Sequence, residues 1–351
     1  MKKNKILMIA TTPFFSDRGC SIRVLDSYLR LKKENNDIIL LTYNLGREIN
    51  GVKTKRIVKI PFYKNTAPGF NFFKIFADVL LLLKSIFVYK SDNFNYIYAH
   101  TFEAALIGVI LKKIFKTTIV FDAQGSLVGE LASHKTISKD GFIATLLRKI
   151  EKYIVLNSDE IVTSTDGLKE FFGKEFGRRY KIKAIKDLPN KMLFNKNIKK
   201  IDLDLPKNKI IVGYLGGLQP YKGVDFILDA IPYIDENFYF LIMGYPLDYV
   251  NKKIKELNIQ KRVTLTGKVP YEKAGGYLKN LDIAISPKLL GSSGEANAKL
   301  YIYKYLNLKN IVCFDIDENR KILGKNGIYI KNQTPESLAK TVNRIIDVKA
   351  K

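Results

Sequence analysis

The chain has 351 residues, enough for two domains of ordinary size, and its 46% hydrophobic content without low-complexity tracts excludes a disordered protein. A formal net charge of +25 indicates an anionic partner, such as a phosphorylated substrate, acidic lipid or nucleic acid. The lysines are scattered, and there is neither zinc-ligand spacing nor an aromatic RNA-binding motif, which argues against nucleic acid. The two cysteines, Cys20 and Cys313, lie far apart and form no disulfide framework, which favours a reducing, cytoplasmic location.

Strands and helices alternate through the first half of the chain, a pattern that predicts parallel βαβ units. The short apolar run at the N-terminus leads into a glycine-bearing loop and predicts a strand, not a signal peptide. The stretch QGSLVGELASHK, after the fifth strand, reads as a loop. The predicted strands are 6–11, 38–43, 56–60, 96–100, 118–123, 160–164 and 181–189, and the predicted helices are 22–33, 70–89, 102–115, 142–156 and 167–176.

The same alternation returns in the second half, after a segment at 189–209 that loses periodicity and gains charge and proline. We therefore predict an N-terminal domain 1–190, a linker 191–209 and a C-terminal domain 210–351. The fold class is α/β, with two doubly wound parallel-sheet domains of the Rossmann type facing across a cleft, which is the expected ligand site. The predicted strands here are 210–216, 238–244, 262–267, 281–287 and 310–314, and the predicted helices are 224–234, 247–257, 271–280, one from Asn297, and 335–347.

Two strand–loop–helix units of the second half carry candidate phosphate-binding residues. In the stretch from Leu281 to Asp315, a buried strand is followed by the loop GSSGE, with Glu295 just before a helix for which Asn297 is a plausible N-cap. In GLQPYKG, two glycines follow a strand and Lys222 precedes the next helix. Free N–H groups and the positive dipole of a helix start suit a phosphate, which a lysine would further neutralise. A solvated lysine and an unoccupied loop are the alternative interpretation.

The first half offers polar residues at strand ends and one glycine loop. Gly19 lies in the first loop, where it could allow close approach of a ligand, and Arg18 and Arg23 flank it and could meet an anion. The motif is not GxGxxG, so no dinucleotide fingerprint is present. Three further polar residues stand at the carboxyl ends of predicted strands, where ligands of such sheets bind: His100, Asp122 and Gln124.

The most apolar stretch of the chain is the predicted helix 70–89. Lys74, Asp78 and Lys84 interrupt it, which argues against a membrane span and for a half-buried amphipathic helix. A second interpretation is a helix face in peripheral contact with an anionic membrane surface, on the inner face of the cell membrane.

Taken in order, these segments resemble the retaining glycosyltransferases of family 4, which have the GT-B fold. The resemblance rests on VGYLGGLQPYKGVDFILDAI, on DEIVTSTDGLKEFF followed by LPNKMLF, on VTLTGKVPYEKAGGYLKNLDIAISP and on the Leu281–Asp315 stretch, and it covers about residues 5–346. It implies transfer of a sugar, with retention, from a nucleotide sugar (a UDP-sugar or a GDP-sugar) to a glycan or lipid-linked acceptor hydroxyl. It implies no cofactor and no metal, and polysaccharide biosynthesis as the setting.

The resemblance also implies roles for individual residues. Glu295 matches the first Glu of the family's Glu–seven residues–Glu motif and would contact donor-sugar hydroxyls, while Lys222 would neutralise the leaving diphosphate. Gly19 matches a loop that approaches the diphosphate or the acceptor, and Gln124 can hydrogen-bond a sugar hydroxyl. The further donor-binding residues are expected around the two phosphate-binding loops: Gly216, Gly217, Ala298, Lys299, Leu300 and Tyr303, of which Lys299 and Leu300 would offer backbone N–H groups.

Three departures from the family pattern leave other functions open. Tyr303 stands at the motif's second Glu, Gly217 at a usually basic position, and Gln124 at a frequent His. With Gly217 at the basic position, either Lys222 acts without its partner or Lys299 substitutes for the missing cation. These departures motivate a non-catalytic sugar-nucleotide or glycan-binding relative as the main alternative. A nucleotide-sugar epimerase, with Glu103 and Glu130 as acid and base, and a nucleic-acid binder are further alternatives.

Overall fold

The computed structural model describes residues 3–61, 63, 72–133, 137–138, 141–177, 181–190, 194–288 and 297–349. The chain divides into two compact units, the first ending at Asp187 and the second beginning at Leu188. Each unit has a parallel sheet of its own and a separate hydrophobic core.

The first unit is built on a seven-stranded sheet in which every paired strand is parallel, in the order β3-β2-β1-β4-β5-β6-β7. The chain winds from β1 outward to β3 and then returns to β4 on the other side of β1, so the topological switch point lies between β1 and β4. The strands are β1 (Lys5–Ala10), β2 (Asp37–Thr42), β3 (Thr54–Arg56), β4 (Tyr96–His100), β5 (Thr118–Ala123), β6 (Glu160–Thr163) and β7 (Ile182–Ala184).

Six helices cover this sheet. Their apolar positions at helical spacing are buried in one core, as Ala77 and Leu81 of α2, Phe102 of α3 and Phe172 of α6 illustrate. The helices are α1 (Gly19–Lys33), α2 (Phe72–Lys90), α3 (Thr101–Phe115), α4 (Leu127–Ser133), α5 (Phe142–Asn157) and α6 (Asp166–Phe176).

The second unit repeats the plan with six parallel strands in the order β10-β9-β8-β11-β12-β13, and its switch point lies between β8 and β11. Its strands are β8 (Ile210–Leu215), β9 (Phe238–Met243), β10 (Val263–Gly267), β11 (Ile283–Ser286), β12 (Asn310–Phe314) and β13 (Gly327–Ile330). Its α-helices are α7 (Val224–Ala230), α8 (Asp248–Glu256), α9 (Ala274–Leu278), α10 (Ala298–Tyr305), α11 (Asp317–Leu323) and α12 (Pro335–Lys349).

The predicted fold class, two doubly wound parallel α/β units, is confirmed, while several elements differ in detail. The third strand was expected at 56–60 but lies at Thr54–Arg56, because Arg56 pairs with Thr42 of β2 and then directs its guanidinium to the carbonyls of Tyr43 and Leu45. Part of the predicted loop after β5 forms α4. The second unit also contains α11 and β13, which the sequence pattern did not indicate.

Candidate functional site

In the second unit, the loop after β8 is held in a narrow arrangement against the loop after β9. The amide of Gly216 donates to Met243 O at 3.0 Å, and Leu218 N donates to Tyr245 O at 3.1 Å. Gly244 has a φ of +148°, and a Cβ there would lie 1.8 Å from Gly216 O, so only glycine permits this approach. The backbone of Gly216 and Gly217 is therefore fixed beside the switch point.

Two lysines flank this loop. A Cβ at Gly217 would lie 3.6 Å from Lys222 Cγ, and one at Gly216 would lie 3.3 Å from Lys299 Nζ. The Lys222 segment is pressed against the end of β11, because Gly223 has a φ of +82° and a Cβ there would stand 2.2 Å from Pro287 O. Two predicted site lysines, from separate segments of the chain, are thus brought to one loop.

Tyr214, the penultimate residue of β8, orients the Lys299 side chain. Lys299 Nζ lies 4.5 Å from the centroid of the Tyr214 ring and 3.4 Å from its hydroxyl. That hydroxyl donates to Gly217 O at 2.9 Å, so the completely buried tyrosine joins the glycine loop to the lysine. The sequence analysis did not name Tyr214; its place two residues before a Gly-Gly pair is the signal that could have indicated it.

The start of α10 is held by a buried chain of amides. Ser286 Oγ donates to Asn297 Oδ1 at 3.0 Å, and Asn297 Nδ2 donates to Asn319 Oδ1 at 2.8 Å. Asn319 Nδ2 in turn donates to Phe314 O at 2.9 Å. Asn297 occupies the predicted N-cap position, but its side chain makes no capping hydrogen bond because it is committed to this chain. This series of buried hydrogen bonds fixes the first turn of α10, including Ala298 and Lys299, against β11 and β12.

Two predicted donor contacts are corrected by the structure. Tyr303 is completely buried, and its hydroxyl accepts from Leu215 N and donates to Ile285 O, both at 3.3 Å. It braces the ends of β8 and β11 and exposes no atom to a ligand, and burial raises the pKa of its phenol. The Leu300 amide already donates to Asn297 O at 2.9 Å, so it is not the free N–H group that was expected. Glu295, the predicted sugar-contacting carboxylate, lies outside the described residues.

In the first unit, Gly19 is the exposed first residue of α1, and a Cβ added there would meet no atom within 4 Å. Arg18 is the N-cap residue of α1. Its backbone N–H donates to Ser21 Oγ at 3.2 Å, and its carbonyl oxygen accepts from the same hydroxyl at 3.0 Å. Open space at the first turn of α1 is compatible with the predicted approach of a ligand to Gly19.

Asp122 and Arg23 form a buried ion pair, which differs from the predicted roles of both. Asp122 is fully buried and accepts from Arg23 Nε at 2.6 Å, Tyr98 Oη at 3.0 Å and Ser27 Oγ at 3.3 Å. Burial alone would raise the pKa of Asp122, but the charge of Arg23 and these hydrogen bonds lower it, so the carboxylate is ionised. Arg23 also pairs with Asp187. Asp122 is thus occupied within the unit, whereas the largely buried Arg23 is held by two carboxylates and keeps only Nη2 without a hydrogen-bond partner.

His100 is the last residue of β4, and Gln124 directly follows the neighbouring strand β5, so both stand at the carboxyl ends of strands in one sheet. His100 is fully buried, its Nδ1 lies 3.5 Å from Asp122 Oδ2, and neither ring nitrogen has a hydrogen-bond partner. Burial lowers its pKa to about 4, so the ring is neutral at pH 7. Gln124 follows β5 and is partly exposed, and its Nε2 is buried without a partner. The Gln124 amide thus has an N–H group without a hydrogen-bond partner, whereas the His100 side chain has no exposed atom.

The rival acid–base residues have different surroundings. Glu103 is ion-paired with Lys74, and Thr11 Oγ1 lies 3.5 Å from its second oxygen. Burial opposes its charged form, but Lys74 lowers its pKa below the usual value. Of Glu130, the other epimerase candidate, the side chain lies outside the described residues. Among the residues that the structure describes, no group of three or more His, Cys, Asp or Glu side chains could hold a metal ion.

The structure thus consists of two doubly wound parallel α/β units, and the second has Lys222 and Lys299 beside the glycine loop at its switch point. Residues 209–347 match the family model of the glycosyl transferases group 1. An uncharacterized glycosyltransferase of Methanocaldococcus jannaschii is 21% identical over 335 residues, which is 94% of this chain and 85% of the relative.

Solved structures show the same architecture. Sucrose-phosphate synthase from Thermosynechococcus elongatus superposes with a TM-score of 0.79 at 16% identity, over 99% of this chain and 91% of that one. Anabaena HepE in complex with UDP-glucose gives a TM-score of 0.73 at 16% identity, with 99% and 91% coverage. The chain is accordingly a glycosyltransferase with the GT-B fold.

Proposed function

We propose that the chain is a metal-independent, retaining glycosyltransferase of family 4, and that it moves a sugar from a UDP-sugar or GDP-sugar to a hydroxyl of a glycan or lipid-linked acceptor. The observation that carries the proposal is the pair of lysines, Lys222 and Lys299, beside the Gly216–Gly217 loop. Breaking the bond to a diphosphate leaves negative charge on that group, and fixed cations stabilise it. The UDP-glucose complex of the structurally similar Anabaena HepE supports a nucleotide sugar as donor.

In the proposed reaction, the bond between the anomeric carbon and the diphosphate oxygen breaks, and the acceptor oxygen bonds to that carbon on the same face. The acceptor proton passes to the departing diphosphate, so no protein base is required. Lys222, Lys299 and the start of α10 at Ala298 hold the diphosphate, and Glu295 contacts the sugar hydroxyls. Gln124 donates its unpartnered Nε2–H to a sugar hydroxyl, and Gly19 admits the substrate to the first turn of α1.

The first test is a thermal-shift screen of the purified chain against UDP, GDP, ADP and CMP and their sugar conjugates. A hundredfold excess over the dissociation constant should stabilise the fold by about 2.7 kcal/mol. A shift with one nucleotide supports the donor site and identifies the base, whereas no shift with any of them contradicts it. The anomeric configuration of the product, read by NMR, tests retention, and turnover in EDTA tests metal independence.

A non-catalytic relative that binds the donor without turnover is the second candidate. The observation that favours it is Tyr303, which stands at the second Glu of the family motif and is completely buried, so its side chain offers the donor no contact. A stabilising shift with a nucleotide sugar, combined with neither transfer nor hydrolysis of the donor, would establish this candidate. Two free cysteines, the half-buried Cys20 and the buried Cys313, support a cytoplasmic location under both candidate functions.

A further inference from the structure

Large apolar side chains are exposed on three helices of the first unit far more than elsewhere. Among the described residues, sixteen large apolar side chains are exposed, and twelve of them belong to α2, α3 or α5. We call these twelve residues the apolar face: Phe73, Ile75, Phe76, Val79, Leu83, Phe87, Ile114, Phe142, Ile143, Leu146, Tyr153 and Leu156. A concentration of this kind marks an interaction surface, since single exposed apolar residues are otherwise scattered.

The residues of α2 form one row. Ile75, Val79, Leu83 and Phe87 follow one another at four-residue spacing and are 51%, 49%, 58% and 72% exposed. The opposite side of the helix, including Ala77, is buried in the core. The core therefore buries only part of the apolar surface of α2, and the outer row is exposed among the residues that the structure describes.

A second row runs along α5, with α3 packed between the two helices. Phe142 and Leu146 are 85% and 50% exposed, and Tyr153 continues their line two turns further on. At the exposed end of α3, Ile114 is 52% exposed, and the neighbouring Lys113 Nζ lies 5.1 Å from the Tyr153 ring centroid. The rows thus belong to one helical layer of the unit.

The charges that these three helices present to solvent are positive. Their three acidic residues are engaged with the unit itself: Asp78 accepts from Tyr43, Glu103 pairs with Lys74, and Glu151 is 1% exposed. Of the eight basic residues on these helices, Lys74, Lys84 and Lys112 are bonded within the unit, to Glu103, Arg56 O and Asp159. The five exposed cations are Lys90, Lys113, Arg148, Lys149 and Lys152. A second copy of the same face would bring cations against cations, which disfavours a symmetric dimer here.

We propose that the apolar face docks on a bilayer that contains anionic lipid, with α2 and α5 lying in the interface plane. The apolar rows enter the boundary between headgroups and acyl chains, and the surrounding lysines and arginine meet the anionic headgroups. Among the described residues, no helix is long and apolar enough to cross a membrane, so docking would be peripheral. This inference does not depend on the proposed sugar transfer, because binding is measured without turnover.

The test is sedimentation of the full chain with phosphatidylcholine vesicles, with and without about one third phosphatidylglycerol. We expect binding to the anionic vesicles to be about tenfold tighter than to the neutral ones and to weaken with salt. The double variants Phe142→Ser with Leu146→Ser and Leu83→Ser with Phe87→Ser should each weaken binding about tenfold. A matched control is Val58→Ser with Tyr233→Ser, since these residues are 67% and 61% exposed but lie off the face.

The charge contribution has its own pair of variants. Lys149→Glu with Lys152→Glu should lower the preference for anionic vesicles, whereas Lys255→Glu with Lys261→Glu, exposed in the second unit, should lower it much less. Equal losses in face and control variants, or no binding to anionic vesicles, would overturn the proposal. A dimer that the α2 and α5 serine variants dissociate, seen by light scattering without vesicles, would assign the face to a second copy instead.

Discussion

At the scale of single residues, the side chains of two lysines beside one glycine loop define the candidate donor site. Lys299 Nζ sits over the face of Tyr214, and the tyrosine hydroxyl binds Gly217 O. The ring holds the cation by its quadrupole and limits the conformations of a long side chain, so little entropy remains to be lost when an anion binds. Lys222 reaches the same loop from the short helical turn Pro220–Lys222.

Lys222→Gln and Lys299→Gln should each lower kcat/KM for transfer about a hundredfold, because each removes a cation from the departing diphosphate. Tyr214→Phe keeps the ring under Lys299 and should cost less than Tyr214→Leu. A matched control is Lys196→Gln, which removes another lysine that lies over a tyrosine, Tyr305, at 5.8 Å. Full steady-state activity of Lys299→Gln would show that the diphosphate is held elsewhere.

Glu295→Ala should abolish transfer while leaving the melting temperature unchanged, since the proposal assigns this carboxylate to the donor-sugar hydroxyls and not to the fold. Steady-state transfer and thermal melting are the two measurements. Glu272→Ala, in the turn before α9, provides a control from the same unit. Unchanged turnover in Glu295→Ala would remove the central residue of the proposed site.

Glu151 should make stability depend on pH. It is buried and accepts from Leu127 N at 3.0 Å, and burial raises its pKa to about 7 from an ordinary value of 4.5. The folded state therefore holds the proton more tightly than the unfolded state, and this stabilisation is lost as the pH rises from about 4.5 through 7. Glu151→Gln keeps an acceptor for Leu127 and should be more stable than the parent at pH 8, by on the order of 2 kcal/mol.

Urea unfolding at pH 5 and pH 8 measures this difference, which should be much smaller at pH 5, where the carboxyl of the folded parent is protonated. The exposed Glu170 of α6 provides the control, since Glu170→Gln should change stability little at either pH. An effect of Glu151→Gln that is the same at both values would contradict the titration of Glu151.

At the scale of elements, the start of α10 depends on two side chains and one backbone carbonyl from three other segments. The chain of Ser286, Asn297 and Asn319 links β11, α10, α11 and the end of β12 through buried hydrogen bonds. The sequence pattern predicted Asn297 as a capping residue, but it could not foresee Asn319, which lies 22 residues further along the chain. The position of the helix start is thus set by contacts distant in sequence.

Asn319→Ala should lower the free energy of unfolding by about 2 kcal/mol, because it leaves Asn297 Nδ2 buried without its partner and leaves Phe314 O with Ile316 N in place of two donors. It should also weaken nucleotide binding, since the first turn of α10 is no longer fixed. Chemical denaturation and the thermal-shift screen measure the two effects. Asn326→Ala, at an exposed position of the same unit, should change stability by less than about 0.5 kcal/mol; an equal loss there would contradict the role of the amide chain.

The helix α4 shows why some elements could not be predicted from the sequence. Its seven residues include Gly129 and span only two turns, too few for the apolar spacing of Leu127 and Leu131 to distinguish a helix from a loop. Its first amide is instead capped by Glu151, which arrives from α5 in the middle of that helix. This carboxylate, 24 positions away, thereby adds to the local cap, in which Gly129 N donates to Ser126 Oγ at 3.3 Å.

At the scale of the whole molecule, part of the predicted linker 191–209 belongs to the second unit. Phe194 is 1% exposed and packs against Tyr271 and Tyr305. A Cβ at Gly276 of α9 would lie 2.8 Å from Lys199 O, so the linker backbone approaches that helix closely. The second unit therefore begins, in terms of packing, before its first strand.

A fragment of residues 188–351 should fold by itself, because it has its own sheet and core. A fragment of residues 209–351 should be several kcal/mol less stable, since it lacks Phe194 and the segment that covers α9. Circular dichroism melts of the two fragments measure the difference. Equal stability of the two would show that the segment before β8 contributes nothing to the unit.

The sequence by itself determined the class of the fold, the two sheets and most of their strands, because apolar runs and helical periods are local properties. It also named Lys222, Lys299 and their glycine loops, since residue type and spacing in a strand–loop–helix unit carry that information. The tertiary structure alone decided which polar side chains remain available: it buried Asp122, His100 and Tyr303, engaged Arg23 with two carboxylates, and placed Tyr214 beneath Lys299. Burial and pairing depend on neighbours far along the chain, and no local pattern records them.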